Sequence, residues 1–429
     1  MSLEILFFFL LLPLMVFAWF NWPKAVALVP LFLPAYLFKI QIYSYPINWL
    51  EAVVLIVFIT AWLKGYGLAL FNFLWQPKVR SWLVIIVLWL LTGLVSLFIG
   101  ENLKLAAGIL KGWLVLPFIW LWLMGYVINS NESRSVYFWR LSVKALLLNG
   151  LITALAAVFY WLVDGSRAGG WYDSPNVLAM YLLPIFWLAV WQLFEDKEFY
   201  QDSKLLEGLL KGMAVLMLLV IILTGSYTAL LSLVVTFVAW LIFKKYPTYK
   251  LKVFLVVLLC LFGLSLPLFV VINKNWPWLS HTNTTYNITS GQIRQIFWQE
   301  AYSVIIKQPL TGIGLGGWQS LFRNKLQPNL PENKLPGYSI EFYYASLFPH
   351  NLYLTVWLFQ GFLGLIILLG LFWKITKPGW LLPVIMLLPW LVYGVVDTPL
   401  YKNDYAFLFV FMILAVWFKE IEKLKIDQI

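Results

Sequence analysis

The 429-residue sequence has few charged residues, one cysteine and two histidines. Charged side chains make up 11% of the chain and hydrophobic ones 62%, and a soluble domain cannot bury that much apolar surface beneath so little polar surface. The single cysteine, Cys260, lies in an apolar run, which excludes an intramolecular disulfide and a cysteine metal cluster. The composition therefore predicts an integral membrane protein.

The net charge of +11 has two interpretations. It could indicate a nucleic-acid partner, or it could come from the Lys and Arg residues that hold the cytoplasmic loops of a multi-span protein in place. The apolar composition favours the second interpretation. We therefore expect membrane lipids, and no nucleic acid, as surroundings of this chain.

About thirteen apolar runs approach the roughly 20 residues with which an α-helix crosses a bilayer. They predict an all-α polytopic membrane protein with about 12–13 transmembrane helices. The count stays open because the first two runs could form one hairpin, and the runs on either side of Thr224–Thr228 could be two half-length helices. The first run has no basic region before it and a poor cleavage site after it, so we expect a retained span. The runs lie at about 3–20, 24–40, 47–63, 81–99, 105–128, 140–163, 176–194, 207–223, 228–243, 250–272, 350–373, 379–396 and 405–418.

The basic residues fall on one side of the membrane if these spans alternate, and the positive-inside rule makes that side cytoplasmic. We expect one membrane domain, with helices 1–10 over residues 1–272, a long external loop over 273–349 that contains short helices, and helices 11–13 with a cytoplasmic tail over 350–429. The external face then carries 100–104, 164–175, 224–227, 273–349 and 397–404. The basic residues assigned to the cytoplasmic side are Lys64, Lys78, Arg80, Arg134, Arg140, Lys197, Lys204, Lys211, Lys244, Lys245, Lys250, Lys252, Lys374 and Lys377.

The external loop is far longer than a connection requires and contains many aromatic residues, so we expect it to be folded and functional. Apolar residues between Ile293 and Ile305 recur at helical spacing, and Pro309 ends the pattern. Arg294 lies near the start of this predicted helix, where the helix dipole favours an anion and the guanidinium can hold phosphate oxygens. It could instead reach lipid headgroups. Trp298 shares its helical face.

The segment Gly312–Gly317 superficially resembles a nucleotide-binding loop. It follows a helix rather than a strand, lacks the Lys-Ser/Thr ending and lies on the external face, so we reject nucleotide binding. We expect a tight turn that lets the backbone approach a neighbouring segment or a lipid-linked phosphate.

His350 follows Pro349 directly and begins a predicted span. A helix N-terminus disfavours imidazolium, which would leave the ring available as a proton acceptor. Asn351 could orient that ring or a substrate hydroxyl. The alternative is a structural histidine that caps the span. No second His, Cys or carboxylate stands at ligand spacing, so we expect neither a metal nor another cofactor.

Other charged residues lie on the predicted external face. Arg167 precedes the start of a helix, and Lys111 lies about two turns inside the fifth span, where an ionisable residue is a functional candidate unless it extends to the interface. Asp397, Lys402, Asn403 and Asp404 form a polar group that could also be a self-contained loop network.

Taken together, these residues resemble the O-antigen ligase and polymerase family, whose members handle glycans carried on undecaprenyl diphosphate. The resemblance covers about 160–410 and depends on the order and spacing of several motifs, none of which is specific alone. One departure is that the family usually has Ser-Arg-Gly where this chain has Ser226-Tyr-Thr228. Lys111, Arg167 or Arg323 could supply the missing cation. The motifs are Ser166-Arg-Ala-Gly, Ser174-Pro-Asn-Val-Leu-Ala179, Arg294 with Trp298, Pro309-Leu-Thr-Gly-Ile-Gly, His350-Asn-Leu-Tyr-Leu, Gly361-Phe-Leu-Gly, and Asp397-Thr-Pro with Lys402-Asn-Asp404.

The resemblance implies an inverting, metal-independent glycosyltransferase of the bacterial inner membrane with its active site on the periplasmic or external side. His350 and Arg294 would be catalytic, His350 as the base and Arg294 on the pyrophosphate. The donor would be an undecaprenyl-diphosphate-linked glycan, and the acceptor a lipid or another glycan. The remaining residues assigned to pyrophosphate or glycan binding are Arg167, Lys111, Asn351, Trp298, Arg323, Lys402 and Asp404.

The sequence leaves open a glycan transferase of this family, a transporter and a non-catalytic scaffold. Within the family, the chain could be a ligase with a lipid A-core acceptor, a repeat-unit polymerase, or a protein O-glycosyltransferase. Acceptor contacts are expected from about 319–348. A transporter or flippase for a lipid-linked glycan would show internal repeats and charged or broken spans, of which the sequence gives little sign. A non-catalytic scaffold would leave the motif-bearing external loop unexplained.

Overall fold

The structure, a computed structural model, describes residues 3–42, 45–130, 134–165, 167–172, 174–200, 203–272, 290–326, 348–376 and 380–426. His281, Ser166, Lys377 and most of the predicted acceptor region, 327–347, lie outside the described residues. Seventeen helices are numbered in chain order. They are α1 Leu3–Phe20, α2 Trp22–Leu28, α3 Trp49–Leu63, α4 Gly67–Leu74, α5 Pro77–Ile99, α6 Leu103–Ile109, α7 Leu116–Ser130, α8 Ser135–Asp164, α9 Pro175–Phe194, α10 Lys204–Leu223, α11 Tyr227–Lys245, α12 Tyr249–Ile272, α13 Ser290–Lys307, α14 Gly317–Leu321, α15 Leu352–Thr376, α16 Leu381–Gly394 and α17 Asn403–Ile426.

The predicted all-α polytopic class is confirmed. Within the described residues, eight helical segments are long and apolar enough to cross a membrane, and a ninth is obtained if α3 and α4, bent by 105°, count as one span. The remaining four predicted runs correspond to α1, to the segment Trp22–Leu37, to α16, and to α17. The first three contain shorter apolar helices of 10–17 residues. The chain is a multi-pass membrane protein.

The region around Thr224–Thr228 is not a pair of half-length helices. α10 has 20 residues and α11 has 19, and both are long and apolar enough to span the bilayer. Gly225, with a φ of +60°, makes the turn between them, and Ser226 caps α11 by accepting a hydrogen bond from the Ala229 N–H. The break in the apolar pattern is therefore a tight turn between two spans.

A short hairpin interrupts the helices near the N-terminus. The run predicted at 24–40 is α-helical only to Leu28 and continues as a 3₁₀-helix over Val29–Leu37, because Pro30 and Pro34 remove backbone donors. Strands Lys39–Ile42 (β1) and Tyr45–Asn48 (β2) then pair antiparallel. Asn48 ends the hairpin and forms a capping box with Glu51 in the first turn of α3.

α16 and α17 lie in the interior of the helix bundle. Every residue of α16 from Leu382 to Gly394 is buried, and the helix packs against α9, α11 and α12. α17 packs along α7, and α15 packs along α5. A helix that is apolar on all sides must be enclosed by protein or by lipid, and here other helices enclose α16. The loop 395–402 between α16 and α17 consequently emerges from the centre of the bundle.

α15 is broken at Gly361, whose φ of +70° and ψ of −176° are not helical. The segment 309–315 enters this break: the Ile313 N–H donates to the Leu358 carbonyl (2.7 Å) and the Phe362 N–H donates to the Pro309 carbonyl (3.2 Å). On its other side, the Leu315 N–H donates to the Ser96 carbonyl near the end of α5 (3.1 Å). A Cβ on Gly361 would collide with the Leu310 carbonyl. The glycine-rich segment is thus a turn that approaches neighbouring backbone.

Candidate functional site

The two predicted catalytic residues meet at consecutive residues of the loop 395–402. The Arg294 Nε donates a hydrogen bond to the Val396 carbonyl (2.8 Å), and the His350 Nδ1 lies 3.4 Å from Asp397 Oδ1. Arg294 comes from α13, His350 from the residues before α15, and Asp397 from the end of the α16 segment. The structure therefore brings Arg294 and His350 together although 56 residues of chain separate them.

α13 is positioned by the face that it buries. Phe297, Trp298, Ala301 and Ile305 are buried, and the Tyr302 hydroxyl donates to the Leu264 carbonyl of α12 (3.0 Å). The Trp298 indole donates to the His350 carbonyl (3.4 Å), and the Phe297 ring stacks on the imidazole with a centroid distance of 5.9 Å and an interplanar angle of 6°. α13 thus holds His350 through both its backbone and its ring.

His350 has a φ of +52°, which a non-glycine residue rarely adopts. Asn351, directly after it, caps α15: its Oδ1 accepts from the Leu354 N–H (2.9 Å) and its Nδ2 donates to the Gly263 and Val395 carbonyls (2.8 Å each). Because Asn351 is fully buried and bonded within the protein, it fixes the chain around His350 and leaves the imidazole to face the site.

Asp397 is a site residue to which the sequence analysis assigned no catalytic or binding role, although Asp397-Thr-Pro is one of the motifs of the resemblance. The sequence places it in the polar group predicted to be external. Its position directly after a span and before Thr398-Pro399 is the feature that could have identified it as a site residue. Burial alone would raise the pKa of the Asp397 carboxyl, but the hydrogen bond from His350 and the charges of His350 and Arg294 outweigh burial and hold that pKa below its ordinary value. The Asp397 carboxylate therefore orients the imidazole: with a proton on Nδ1 directed at Asp397, Nε2 is the proton acceptor.

Arg167 approaches the same region from the loop before α9. Its Nε donates to the Thr224 carbonyl (2.6 Å) and its Nη2 to the Asn176 Oδ1 (3.3 Å). Tyr393 links the two arginines: its hydroxyl bonds to the Ser226 hydroxyl (2.8 Å) in the turn that Arg167 contacts, and its carbonyl accepts from the N–H of Val396 (2.9 Å), whose carbonyl binds Arg294. We refer to Arg167, Arg294, His350 and Asp397 as the arginine–histidine cluster.

Three other predicted site residues lie in or beside a second group of contacts. The Lys111 Nζ pairs with Glu51 Oε2 (2.8 Å) and donates to the Pro46 carbonyl (3.2 Å), while the Trp113 indole donates to Asn403 Oδ1 (3.1 Å). We refer to Glu51, Lys111, Trp113 and Asn403 as the Trp113 cluster. Lys402 and Asp404 flank Asn403 in the chain. Asp404 is buried and accepts a hydrogen bond from the Tyr172 hydroxyl (2.8 Å).

Lys111 and Trp113 lie in a π-helical turn, Leu110–Val115, between α6 and α7. Such a turn inserts one extra residue into a helix, and π-turns are frequent at functional sites. Gly112 between them allows close approach, because a Cβ there would lie 2.7 Å from Asn403 Nδ2 and 3.1 Å from Glu51 Oε1.

The two clusters are joined by the loop 395–402 and by aromatic rings. The Trp113 ring lies 5.8 Å from that of Phe348 and 5.7 Å from that of Tyr401, measured between centroids. Phe348 stands two residues before His350, and Tyr401 ends the loop that begins beside Asp397. The Trp113 cluster therefore adjoins the His350 segment.

Within the described residues, no three His, Cys, Asp or Glu side chains are grouped so that they could hold a metal ion. The groups assembled here are guanidiniums, an imidazole and a carboxylate. They suit the binding of an anion beside a proton acceptor.

Comparison with known families gives one match. Residues 212–369 match the model of the O-antigen ligase family. Over these residues the chain is similar to the O-antigen ligase family. This match confirms the resemblance found in the motifs, and it covers the turn at Ser226, Arg294, His350 and the break at Gly361. No curated protein matches the chain.

The O-antigen ligase match leaves part of the arginine–histidine cluster and the whole of the Trp113 cluster outside it. Arg167, Asp397 and the Trp113 cluster lie before residue 212 or after residue 369. Contacts in the fold connect them to the matched segment or its neighbours; for example, Asp397 lies beside His350 and Trp113 packs on Phe348.

The O-antigen ligase resemblance leads us to expect an arginine at Tyr227, whose side chain is 88% exposed. Of the three cations that could compensate, Arg167 reaches this turn: its Nε would lie 3.2 Å from a Cβ on Gly225. Lys111 is paired with Glu51. Arg323 is exposed and follows Phe322, whose ring centroid lies 5.6 Å from that of Phe297. The position of Arg167 makes it the candidate to replace the family arginine.

Proposed function

We propose that the protein transfers a glycan from undecaprenyl diphosphate to an acceptor hydroxyl, with inversion at the anomeric carbon, at the outer face of the bacterial inner membrane. The acceptor in this proposal is a lipid A-core sugar, as in an O-antigen ligase. The observation that supports it most strongly is the meeting of Arg294 and His350 at Val396 and Asp397. A phosphate-binding cation and a proton acceptor are thereby held beside each other.

In the proposed reaction, His350 Nε2 takes the proton of the acceptor hydroxyl while the acceptor oxygen forms a bond to the anomeric carbon. The bond from that carbon to the diphosphate oxygen breaks, and its electron pair leaves with the undecaprenyl diphosphate. Attack opposite the leaving group inverts the anomeric centre. Asp397 keeps the imidazole oriented and stabilises the imidazolium that forms.

The diphosphate gains charge as the glycosidic bond breaks. Arg294 and Arg167 are placed to stabilise that charge, because donors held in advance by the fold need no reorganisation during the reaction. Both guanidiniums are fixed by backbone carbonyls, those of Val396 and Thr224. The diphosphate is already a good leaving group, so the proposal needs neither ATP nor a metal ion.

The test uses the full-length protein in proteoliposomes with undecaprenyl-diphosphate-linked glycan and lipid A-core. We expect His350→Ala and Arg294→Ala each to lower the rate of transfer by at least about 100-fold, the range of general acid–base and oxyanion contributions. Arg140→Ala is the matched control, because it removes an arginine from an exposed ion pair with Glu198 and is expected to keep the wild-type rate. Wild-type transfer by both site variants would contradict the proposal.

The product identifies the reaction class. Glycan attached to lipid A-core supports a ligase, whereas longer glycans still linked to undecaprenyl diphosphate would indicate a repeat-unit polymerase. Movement of intact donor across the vesicle membrane without a new glycosidic bond would indicate a transporter. In a deletion strain, a ligase defect leaves long unattached chains.

A further inference from the structure

The Trp113 cluster has no part in the proposed proton transfer or in binding of the diphosphate. It is nevertheless held in place by contacts among distant segments: Glu51 from α3, Trp113 from the turn before α7, and Asn403 from the start of α17. Glu51 is almost fully buried, whereas the Lys111 side chain is 38% exposed. The protein thus fixes a polar group beside the His350 segment and leaves part of it accessible.

This cluster has hydrogen-bond donors that the described residues do not use. The Lys111 ammonium has three N–H groups, and its contacts in the described part of the chain are with Glu51 and with the Pro46 carbonyl. Asn403 accepts from Trp113 through Oδ1, and no acceptor for its Nδ2 is found among the described residues. The cluster therefore presents N–H donors of Lys111 and Asn403 together with a half-buried indole.

The charges of the two clusters differ. In the Trp113 cluster Lys111 is balanced by Glu51, whereas the arginine–histidine cluster has two guanidiniums and one carboxylate. A diphosphate is favoured by the second arrangement. A neutral, hydroxyl-rich molecule is favoured by the first, since its donors bind hydroxyl oxygens without an excess of charge and the indole offers an apolar face.

The position of the cluster indicates which substrate it contacts. Trp113 packs on Phe348, two residues before His350, while Arg294 contacts the other end of the loop 395–402. In an inverting transfer the base and the acceptor lie opposite the leaving group. The Trp113 cluster adjoins the base segment through Phe348 and contacts the loop at Tyr401, five residues after the Val396 carbonyl that Arg294 binds, so we assign it to the side of the acceptor.

We propose that the Trp113 cluster binds a sugar ring of the acceptor, with the ring against the indole and its hydroxyls bonded to Lys111 and Asn403. This proposal depends on the proposed function and adds an acceptor site to it. The sugar could belong to a lipid core or to a lipid-linked glycan, which have the same hydroxyl chemistry.

The test measures initial rates in proteoliposomes while the concentrations of donor and acceptor are varied separately. We expect Trp113→Ala to raise the acceptor KM at least tenfold and Asn403→Ala to raise it about threefold, since one neutral hydrogen bond contributes about 0.5–1.5 kcal/mol. The donor KM should stay within twofold of the wild-type value. Parallel assays with lipid A-core and with a lipid-linked glycan as acceptor show which source of sugar is affected.

Trp122→Ala is the control for packing. Trp122 is nine residues further along the same span, is also half-buried, and donates to the Leu70 carbonyl (3.0 Å). Its replacement should lower the unfolding temperature to a similar extent without a change in the acceptor KM. If Trp113→Ala does not fold, Asn403→Ala decides the question. The Asn403 side chain is only partly buried, so its removal is less disruptive to folding than removal of the indole.

The outcomes separate the two proposals. If the wild-type protein transfers no glycan to any saccharide acceptor, the proposed function fails. If wild-type transfer is present and Trp113→Ala and Asn403→Ala leave the acceptor KM unchanged, or raise the donor KM instead, the acceptor site is wrong and the proposed function stands.

Discussion

The arginine–histidine cluster and the Trp113 cluster both contact the loop 395–402, at Val396 and at Tyr401 respectively, but they are built differently. The first combines residues from segments with family motifs, and its guanidiniums rest on backbone carbonyls. The second depends on contacts between side chains, an ion pair of Lys111 with Glu51 and a hydrogen bond of Trp113 with Asn403. The difference shows that positive charge is in excess where a diphosphate is expected, whereas positive and negative charge are equal where a hydroxyl-rich molecule is expected.

The largest effect expected from this comparison is on turnover at Asp397. Asp397→Ala should lower the turnover number by about 10²–10⁴-fold, because the imidazole loses the group that orients it and that stabilises the imidazolium. The KM values for both substrates should change little. Initial rates at saturating donor and acceptor measure this. Thr398→Val, which removes only the hydroxyl contact to Thr355 (3.1 Å), is the control and should keep the wild-type turnover; equal losses in both variants would reduce Asp397 to a structural role.

A smaller effect is expected from Arg167→Lys and Arg294→Lys. Lysine keeps the charge but loses the planar fork with which arginine holds a carbonyl and an anion oxygen together, so we expect the donor KM to rise about tenfold. The acceptor KM should not change, which is the reverse of the pattern expected at Trp113. Steady-state assays with varied donor concentration test this. An increase confined to the acceptor KM would reverse the assignment of the two clusters.

The smallest effect is expected at Gly112. In Gly112→Ala the new Cβ would lie 2.7 Å from Asn403 Nδ2, so the amide must shift and the acceptor KM should rise about threefold, the value of a weakened neutral hydrogen bond. Gly108→Ala is the matched control, since a Cβ at Gly108 meets no atom within 4 Å. Identical acceptor KM values for the two variants would mean that the position of Asn403 does not matter for acceptor binding.

Much of the fold could be predicted from the sequence because the length of an apolar run indicates directly whether it can span a membrane. Eight of the predicted runs are spans of full length, and a ninth is the bent pair α3 and α4. The segment predicted at 24–40 is a shorter helix because Pro30 and Pro34 interrupt it. The hairpin at Lys39–Asn48 had no apolar alternation strong enough to predict it.

The candidate site was predictable to the extent that its residues were unusual. Arg294 and His350 stood out as rare residue types in a loop predicted to be external. The structure brings the two residues together, and their roles stay predictions. Lys111 was expected near the same anion and is instead paired with Glu51, 60 residues earlier in the chain. The pairing of Trp113 with Asn403 spans 290 residues. No local pattern encodes such a contact, because it depends on how α7 and α17 pack.

Three hydrogen bonds that fasten residues 309–315 to α5 and α15 join main-chain atoms, and the Trp357 indole donates a fourth to the Pro309 carbonyl. None of these bonds uses a side chain of 309–315, so apart from the glycines and the buried Leu315 the segment can vary in sequence and keep them. Related proteins could vary residues 319–348, and with them the acceptors they use. Helix α13, which carries Arg294, would keep its position against α12 and α15. The geometry of leaving-group stabilisation would then be inherited unchanged as specificity evolves.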